Sequence, residues 1–192
     1  MNNTIINKLI AVIAIISGVL LFIGWTLNIN RDSLVGAMLL IPAYILSMFA
    51  FLGIYSKQKE QLLSLIGFSL IIIATTLFIP WVVLDIARLA EIIPAFEWKK
   101  PEEVYPTRII GIIGGVSYVL GFIIFGIAII KGKVFKWWIG ALLILASVVP
   151  LFHSILGIGK LLVRIEALTL IAFGWNILSS ARINKKQKNE QI

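Results

Sequence analysis

Five ionisable side chains on three separate segments of the chain are predicted to meet near one end of the molecule. Carboxylates, guanidinium groups and imidazoles hold ions and polar ligands, and inside a membrane they mark ligand sites or pathways. The five residues are Asp85, Arg88, His153, Arg164 and Glu166. They define a candidate outer polar pocket, which would open toward the outer side of a membrane.

Residue spacing explains why these side chains should be neighbours. Asp85 and Arg88 are three residues apart, so they share one face of a helix. His153 lies about four residues, or roughly 6 Å, before the end of one apolar run, and Glu166 lies near the start of the next. Two interpretations stay open: the acids and bases neutralise each other at the membrane surface, or they line a pocket.

A second group of polar residues follows the last two apolar runs at helical spacing. Polar side chains on membrane helices turn away from lipid, because an unpaired polar group in hydrocarbon is costly. These residues form a candidate interior polar stripe: Ser147, Ser154, Thr169 and Asn176. They would face the centre of a bundle.

The composition limits the chemistry that these residues can perform. The chain has no cysteine and one histidine, which excludes dithiol redox chemistry, cysteine metal sites and haem held by two histidines of one chain. Metalloprotease and phosphate-loop motifs are both missing from the sequence. We therefore predict no metal and no cofactor, and we assign no catalytic residue.

The elements that must position these side chains are membrane helices. Of the 192 residues 60% are hydrophobic, whereas soluble domains have roughly 45–50% apolar residues. About 20 apolar residues cross a bilayer as a helix. Six runs reach this length, at 9–27, 34–55, 62–84, 109–130, 137–157 and 161–180. The sequence predicts one all-α domain over 1–192, a polytopic transmembrane bundle of six helices.

The distribution of charge predicts the orientation of this bundle. If the N-terminus is cytoplasmic, the net charge of +8 belongs entirely to the inner segments, which include a basic tail at 181–192. The outer segments carry as many acids as bases. Positive charge on the cytoplasmic side is the usual pattern, so we expect both termini inside a plasma membrane. The tail would lie near anionic lipid, and we expect no nucleic-acid partner.

The longest polar segment, 85–108, joins the third and fourth helices on the outer side. Residues 81–93 have an apolar side opposite Asp85, Arg88 and Glu91, which predicts an amphipathic continuation of the third helix. This continuation would either lie on the membrane or cap the bundle. Residues 94–106 are predicted to form a proline-punctuated loop.

The fourth apolar run carries glycines on one face. Gly111 and Gly115 form a GxxxG pair, which lets two helix backbones approach closely. The glycines of this face are Gly111, Gly114, Gly115 and Gly121. They predict either a tight contact inside the bundle or a homodimer interface.

Three classes of function are compatible with this pattern. The first is a binding, sensing or accessory subunit that acts through its outer face, with the lipid bilayer and a membrane protein or second copy as partners. The second is a small-solute transporter or channel along the interior stripe, which would need water to reach Thr169 and Asn176. The third is an intramembrane enzyme on a lipid-linked substrate, with His153 and Glu166 as its candidates.

Overall fold

The computed structural model describes residues 3–28, 33–58, 61–92, 101–156 and 164–189, with side chains for 5–28, 33–58, 61–92, 109–148 and 164–179. Within these ranges the chain forms six α-helices and no β-strand. The helices are α1 (Asn3–Leu27), α2 (Leu34–Ser56), α3 (Leu62–Leu89), α4 (Pro101–Gly132), α5 (Trp137–Leu156) and α6 (Arg164–Asn189).

These helices form the membrane bundle that the apolar runs predicted. Four stretches are long and apolar enough to cross a bilayer: Ile5–Leu27, Leu34–Ser56, Leu62–Leu89 and Ile109–Gly132. In the described part of α5 the apolar stretch is shorter, at Trp137–Val148. Large apolar side chains cover the outside of the helices, as lipid contact requires. The all-α membrane fold is confirmed, while crossing by all six helices and the orientation stay predictions.

The six helices close into a ring. Each helix packs against its neighbours in the chain, and α6 returns to pack against α1. Gly18 of α1 lies against Ala167 of α6, whereas Gly174 of α6 lies against Ala11 of α1. Because the residue numbers run in opposite directions along the contact, α1 and α6 are antiparallel. Short connections make antiparallel neighbours of the other pairs as well.

Glycines allow the helix backbones to touch at several of these contacts. A Cβ atom at Gly18 would lie 2.5 Å from the carbonyl oxygen of Ala167, and one at Gly174 would lie 2.5 Å from that of Ala11. A Cβ atom at Gly126 of α4 would lie 2.6 Å from the carbonyl oxygen of Gly140 in α5. No side chain fits at these points, so the close approach depends on glycine.

The glycine face of α4 is divided between two environments. A Cβ atom at Gly111 would lie 2.9 Å from the Trp81 ring, and one at Gly121 would lie 2.9 Å from the backbone nitrogen of Ile71. Gly114 also faces α3. Around Gly115, in contrast, no atom of the described residues lies within 4 Å of the Cβ position. Of the GxxxG pair, Gly111 therefore lies at the contact between α3 and α4, whereas no described residue packs against the Cβ position of Gly115.

Both helix boundaries in segment 85–108 differ from the prediction, and residues 93–100 lie outside the described residues. α3 ends at Leu89, short of the predicted end at 93, and the positive φ of 57° at Glu91 lets the next backbone N–H, that of Ile92, donate to the carbonyl of Ala87. α4 begins at Pro101, inside the predicted loop. Proline suits the first position of a helix, because its missing N–H would have no partner there.

Phenylalanine side chains fill the centre of the helix bundle. Phe51 of α2 contacts Phe122 and Phe125 of α4, with centroids 5.4 and 6.3 Å away and edge-to-face geometry. All three side chains are fully buried. These contacts join α2 to α4 across the ring, and each contributes about 0.5–1.5 kcal/mol beyond area burial.

Two substitutions on α4 test the importance of the glycine contacts. Gly126→Ala should lower the free energy of unfolding by about 1–3 kcal/mol, since the added methyl group must displace the backbone of α5. Gly115→Ala is the matched control, and it should be neutral or stabilising by about 0.5–1 kcal/mol. Unfolding titrations in mixed detergent micelles measure both changes. Equal losses for the two variants would contradict this account.

Candidate functional site

A carboxyl group inside the ring of helices forms the centre of the candidate site. The Tyr118 hydroxyl donates a hydrogen bond of 3.0 Å to the Glu166 carboxylate. Glu166 is 4% exposed and Tyr118 is 8% exposed. The bond joins α6 to α4, two helices that are not neighbours in the ring. We call these two residues the Glu166–Tyr118 pair.

The close helix contacts position both members of this pair. Ala167, the residue after Glu166, lies against Gly18, which fixes the rotation of α6 and directs Glu166 to the interior. Tyr118 lies on α4 between Gly114 and Gly121, which both face α3. Its ring stacks on Phe122 at 4.3 Å and tilts against Phe78 at 5.8 Å.

The Glu166 carboxylate has few partners for a buried acid. An ionised carboxylate can accept about four hydrogen bonds, and from the described residues Glu166 accepts one, donated by an uncharged hydroxyl. Among the described side chains no cation lies within ion-pair distance of it. Burying a carboxylate in this state is costly, because the bundle interior replaces water with a medium of low polarity.

Arg164 does not neutralise Glu166, although the two residues are close in sequence. Positions two apart project from opposite sides of a helix. The Arg164 guanidinium lies over the Phe22 ring of α1, with 5.6 Å from Cζ to the ring centroid. Its Nε atom is buried and has no hydrogen-bond partner. The Arg164 guanidinium thus lies at the contact between α1 and α6, whereas the Glu166 carboxyl group lies in the interior of the bundle.

Asp85 and Arg88 form a separate pair near the end of α3. The Arg88 Nη2 and Asp85 Oδ1 atoms are 3.6 Å apart, and the side chains are 30% and 22% exposed. A partly exposed ion pair of this kind contributes about 0.2–1 kcal/mol. Among the described contacts, Asp85 pairs with Arg88 and Glu166 bonds to Tyr118, while a pocket shared by all five residues stays a prediction. His153 belongs to α5, but its side chain lies outside the described residues.

The interior polar stripe makes its described hydrogen bonds inside its own helices. The Ser147 hydroxyl donates to the carbonyl of Ile144 at 2.6 Å. The Thr169 hydroxyl donates to the carbonyl of Ile165 at 2.7 Å. Asn176 is partly buried, and the side chain of Ser154 lies outside the described residues. These hydroxyls are thus satisfied without water or a solute.

Tyr118 is the site residue that sequence reasoning missed. It lies three residues after Gly115, on the glycine face that the sequence predicts only as a packing surface. A tyrosine in the middle of an apolar helix is a usable signal, because a buried phenol hydroxyl requires a partner. The partner itself could not be inferred, since 48 residues separate Tyr118 from Glu166.

The described residues contain no group of three histidine, cysteine, aspartate or glutamate side chains that could hold a metal ion. The Glu166–Tyr118 pair therefore offers a carboxylate and a phenol oxygen, and no metal-binding cluster among those residues. Such a pair can bind hydrogen-bond donors and cations, or it can pass a proton between the phenol oxygen and the carboxylate.

Removing either member of the Glu166–Tyr118 pair should destabilise the bundle. Tyr118→Phe and Glu166→Ala should each cost about 1–3 kcal/mol, because each leaves a buried polar partner unsatisfied or opens a cavity. In the double variant the losses should not add, with a coupling of about 0.5–3 kcal/mol. Unfolding titrations of all four proteins give this coupling. Strict additivity would show that the hydrogen bond contributes nothing.

Comparisons of the chain with protein-family models, with curated proteins and with solved structures gave no match. A function must therefore be inferred from the side chains themselves. Among the described residues, the buried carboxylate of Glu166 and its single partner Tyr118 offer the most specific chemistry.

Proposed function

We propose that the protein is a multi-pass binding or sensing subunit of the plasma membrane that works through the outer end of its helix bundle. The ends of α1, α3 and α5 and the starts of α2, α4 and α6 form this end. The Glu166–Tyr118 pair would be the recognition centre. Binding of a ligand or a partner subunit at this pair would be the function, rather than chemical conversion.

The burial of Glu166 supports this proposal most directly. A carboxylate contributes nothing to an apolar core, and replacing it with an apolar residue of similar size would often stabilise a bundle. The presence of Glu166 at 4% exposure, with one uncharged partner among the described residues, is therefore better explained by binding of a ligand or partner than by packing. Polar and ionisable residues inside membrane proteins mark such uses.

The packing of the interior favours binding over transport. Phe51, Phe122 and Phe125 are fully buried in the middle of the ring. Thr169, which a transport pathway would expose, is 2% exposed and bonded to its own helix. In the described conformation the Glu166–Tyr118 pair lies toward one end of the bundle, and buried phenylalanines fill the interior beyond it. This arrangement fits binding at one end better than passage through the bundle.

The proposed orientation follows from the charge distribution. With both termini in the cytoplasm, Arg164 and Glu166 at the start of α6 lie on the outer side, as does the Asp85–Arg88 pair. The excess basic residues lie on the inner side. A ligand would then approach from the outer leaflet or from outside the cell.

A first experiment tests whether Glu166 is the recognition centre. Protein extracted gently from its own membrane should carry a bound molecule or partner in native mass spectrometry. Glu166→Gln keeps the side-chain size and an oxygen for the Tyr118 hydroxyl but removes the charge. The fraction of this variant that carries the bound molecule should therefore be at least tenfold lower than in the natural protein. Glu91→Gln is the matched control, because Glu91 is an exposed acid in the turn after α3. Undiminished occupancy in a folded Glu166→Gln protein would refute the assignment.

A second experiment separates binding from transport. The chain has no native cysteine, so single cysteines can be labelled with a membrane-impermeant thiol reagent. Thr169→Cys and Asn176→Cys should stay protected, whereas Glu91→Cys in the exposed turn should react fully. Ready labelling at both interior positions would show a water-filled pathway and would favour the transporter.

A further inference from the structure

We propose that the Glu166–Tyr118 pair receives a primary ammonium group, carried by a free amine or by an aminophospholipid headgroup. This proposal rests on the proposed function and names the chemistry of its ligand. Three features of the described residues support it: none of them supplies a cation to the carboxylate, oxygen atoms of the pair have no further donor among them, and none of them fills the space beside Gly115, one helical turn away.

The first feature is charge. Glu166 is nearly fully buried, and its only described partner is an uncharged phenol. The nearest cation in sequence, Arg164, lies over Phe22 instead. A ligand cation at the carboxylate would form the ion pair that the described side chains do not supply, and such a pair is strong where water is excluded.

The second feature is the number of free acceptors. Tyr118 donates to one oxygen of Glu166, Oε2, and no described residue bonds the other oxygen, Oε1, or donates to the phenol oxygen. A primary ammonium group has three N–H donors. It can therefore bond both residues at once without breaking the hydrogen bond between them. The Phe78 ring lies 5.8 Å from the Tyr118 ring, so the pair has an aromatic neighbour, and aromatic surfaces tolerate a cation.

The third feature is space. Gly115 precedes Tyr118 by three residues, so both lie on the same side of α4. No described atom lies within 4 Å of the position that a Cβ atom at Gly115 would occupy. Gly115 is also partly exposed. As far as the described residues extend, there is therefore room for a small group one helical turn from Tyr118.

The described residues favour a primary ammonium group over other cations. A quaternary ammonium ion has no N–H donors and depends on open aromatic faces, but Phe122 already stacks on Tyr118 at 4.3 Å. A metal ion needs several ligating side chains, and the described residues contain no such group. A primary ammonium group matches one carboxylate and one hydroxyl best.

The test uses thermal unfolding of the full chain, because a ligand that binds the folded protein raises its Tm. In the free-amine arm, ethylammonium chloride is added to protein in phosphatidylcholine nanodiscs, with tetramethylammonium chloride at equal ionic strength as its control. In the lipid arm, nanodiscs containing phosphatidylethanolamine are compared with pure phosphatidylcholine. The variants are Glu166→Gln, Gly115→Leu, which fills the space, and Glu91→Gln as the control.

We expect either ethylammonium or phosphatidylethanolamine to raise the Tm of the natural protein and of Glu91→Gln. At a hundredfold excess over Kd the rise is roughly 5–10 °C. Glu166→Gln and Gly115→Leu should lose this response while staying folded without ligand. The arm that responds identifies the source of the ammonium group.

No response in either arm, or an equal response in Glu166→Gln, overturns the proposal. A tetramethylammonium response as large as that of ethylammonium also overturns it. The proposed function would fail differently, through undiminished native occupancy in Glu166→Gln. If that variant loses its native ligand while neither ammonium probe binds, the recognition centre stands and the ammonium assignment falls.

Discussion

Direct contact between helix backbones at glycine is the constraint on which the rest of the structure depends. Gly18 and Gly174 bring α1 and α6 so close that a methyl group at either position would lie 2.5 Å from a carbonyl oxygen. This contact joins the first helix to the last and closes the ring. In a membrane, lipid is as apolar as the helices, so packing of this kind replaces the hydrophobic effect as the force between them.

The closed ring makes an interior in which polar groups can be held away from lipid. Because α6 is fixed against α1, Arg164 stays on Phe22 and Glu166 turns inward to Tyr118. A little over half a helix turn thus separates the Arg164 guanidinium from the Glu166 carboxyl group and keeps them from pairing. The aromatic contacts of Phe51 with α4 close the centre of the ring beyond this pair. Among the described residues, Glu166 is therefore a buried acid that no cation compensates.

Much of the scaffold could be predicted, because lipid imposes one dominant rule on the chain. Apolar runs indicated all six helices, and their starts at Leu34, Leu62 and Trp137 match those of α2, α3 and α5. The start of α4 was placed eight residues too late, since charged residues such as Glu102 hide a helix from hydropathy. The site was only partly foreseen: Glu166 and the Asp85–Arg88 pair were named, but Tyr118 was not.

Composition and local spacing are enough to specify a lipid environment, the helical class and the residues able to do chemistry. Which of those residues meet depends on how the helices pack. Arg164 and Glu166 are two positions apart, yet helix rotation sends them to opposite sides. Tyr118 and Glu166 are 48 positions apart, yet ring closure joins them at 3.0 Å. Rotation and closure depend on where backbones touch, and hydropathy carries no information about those contacts.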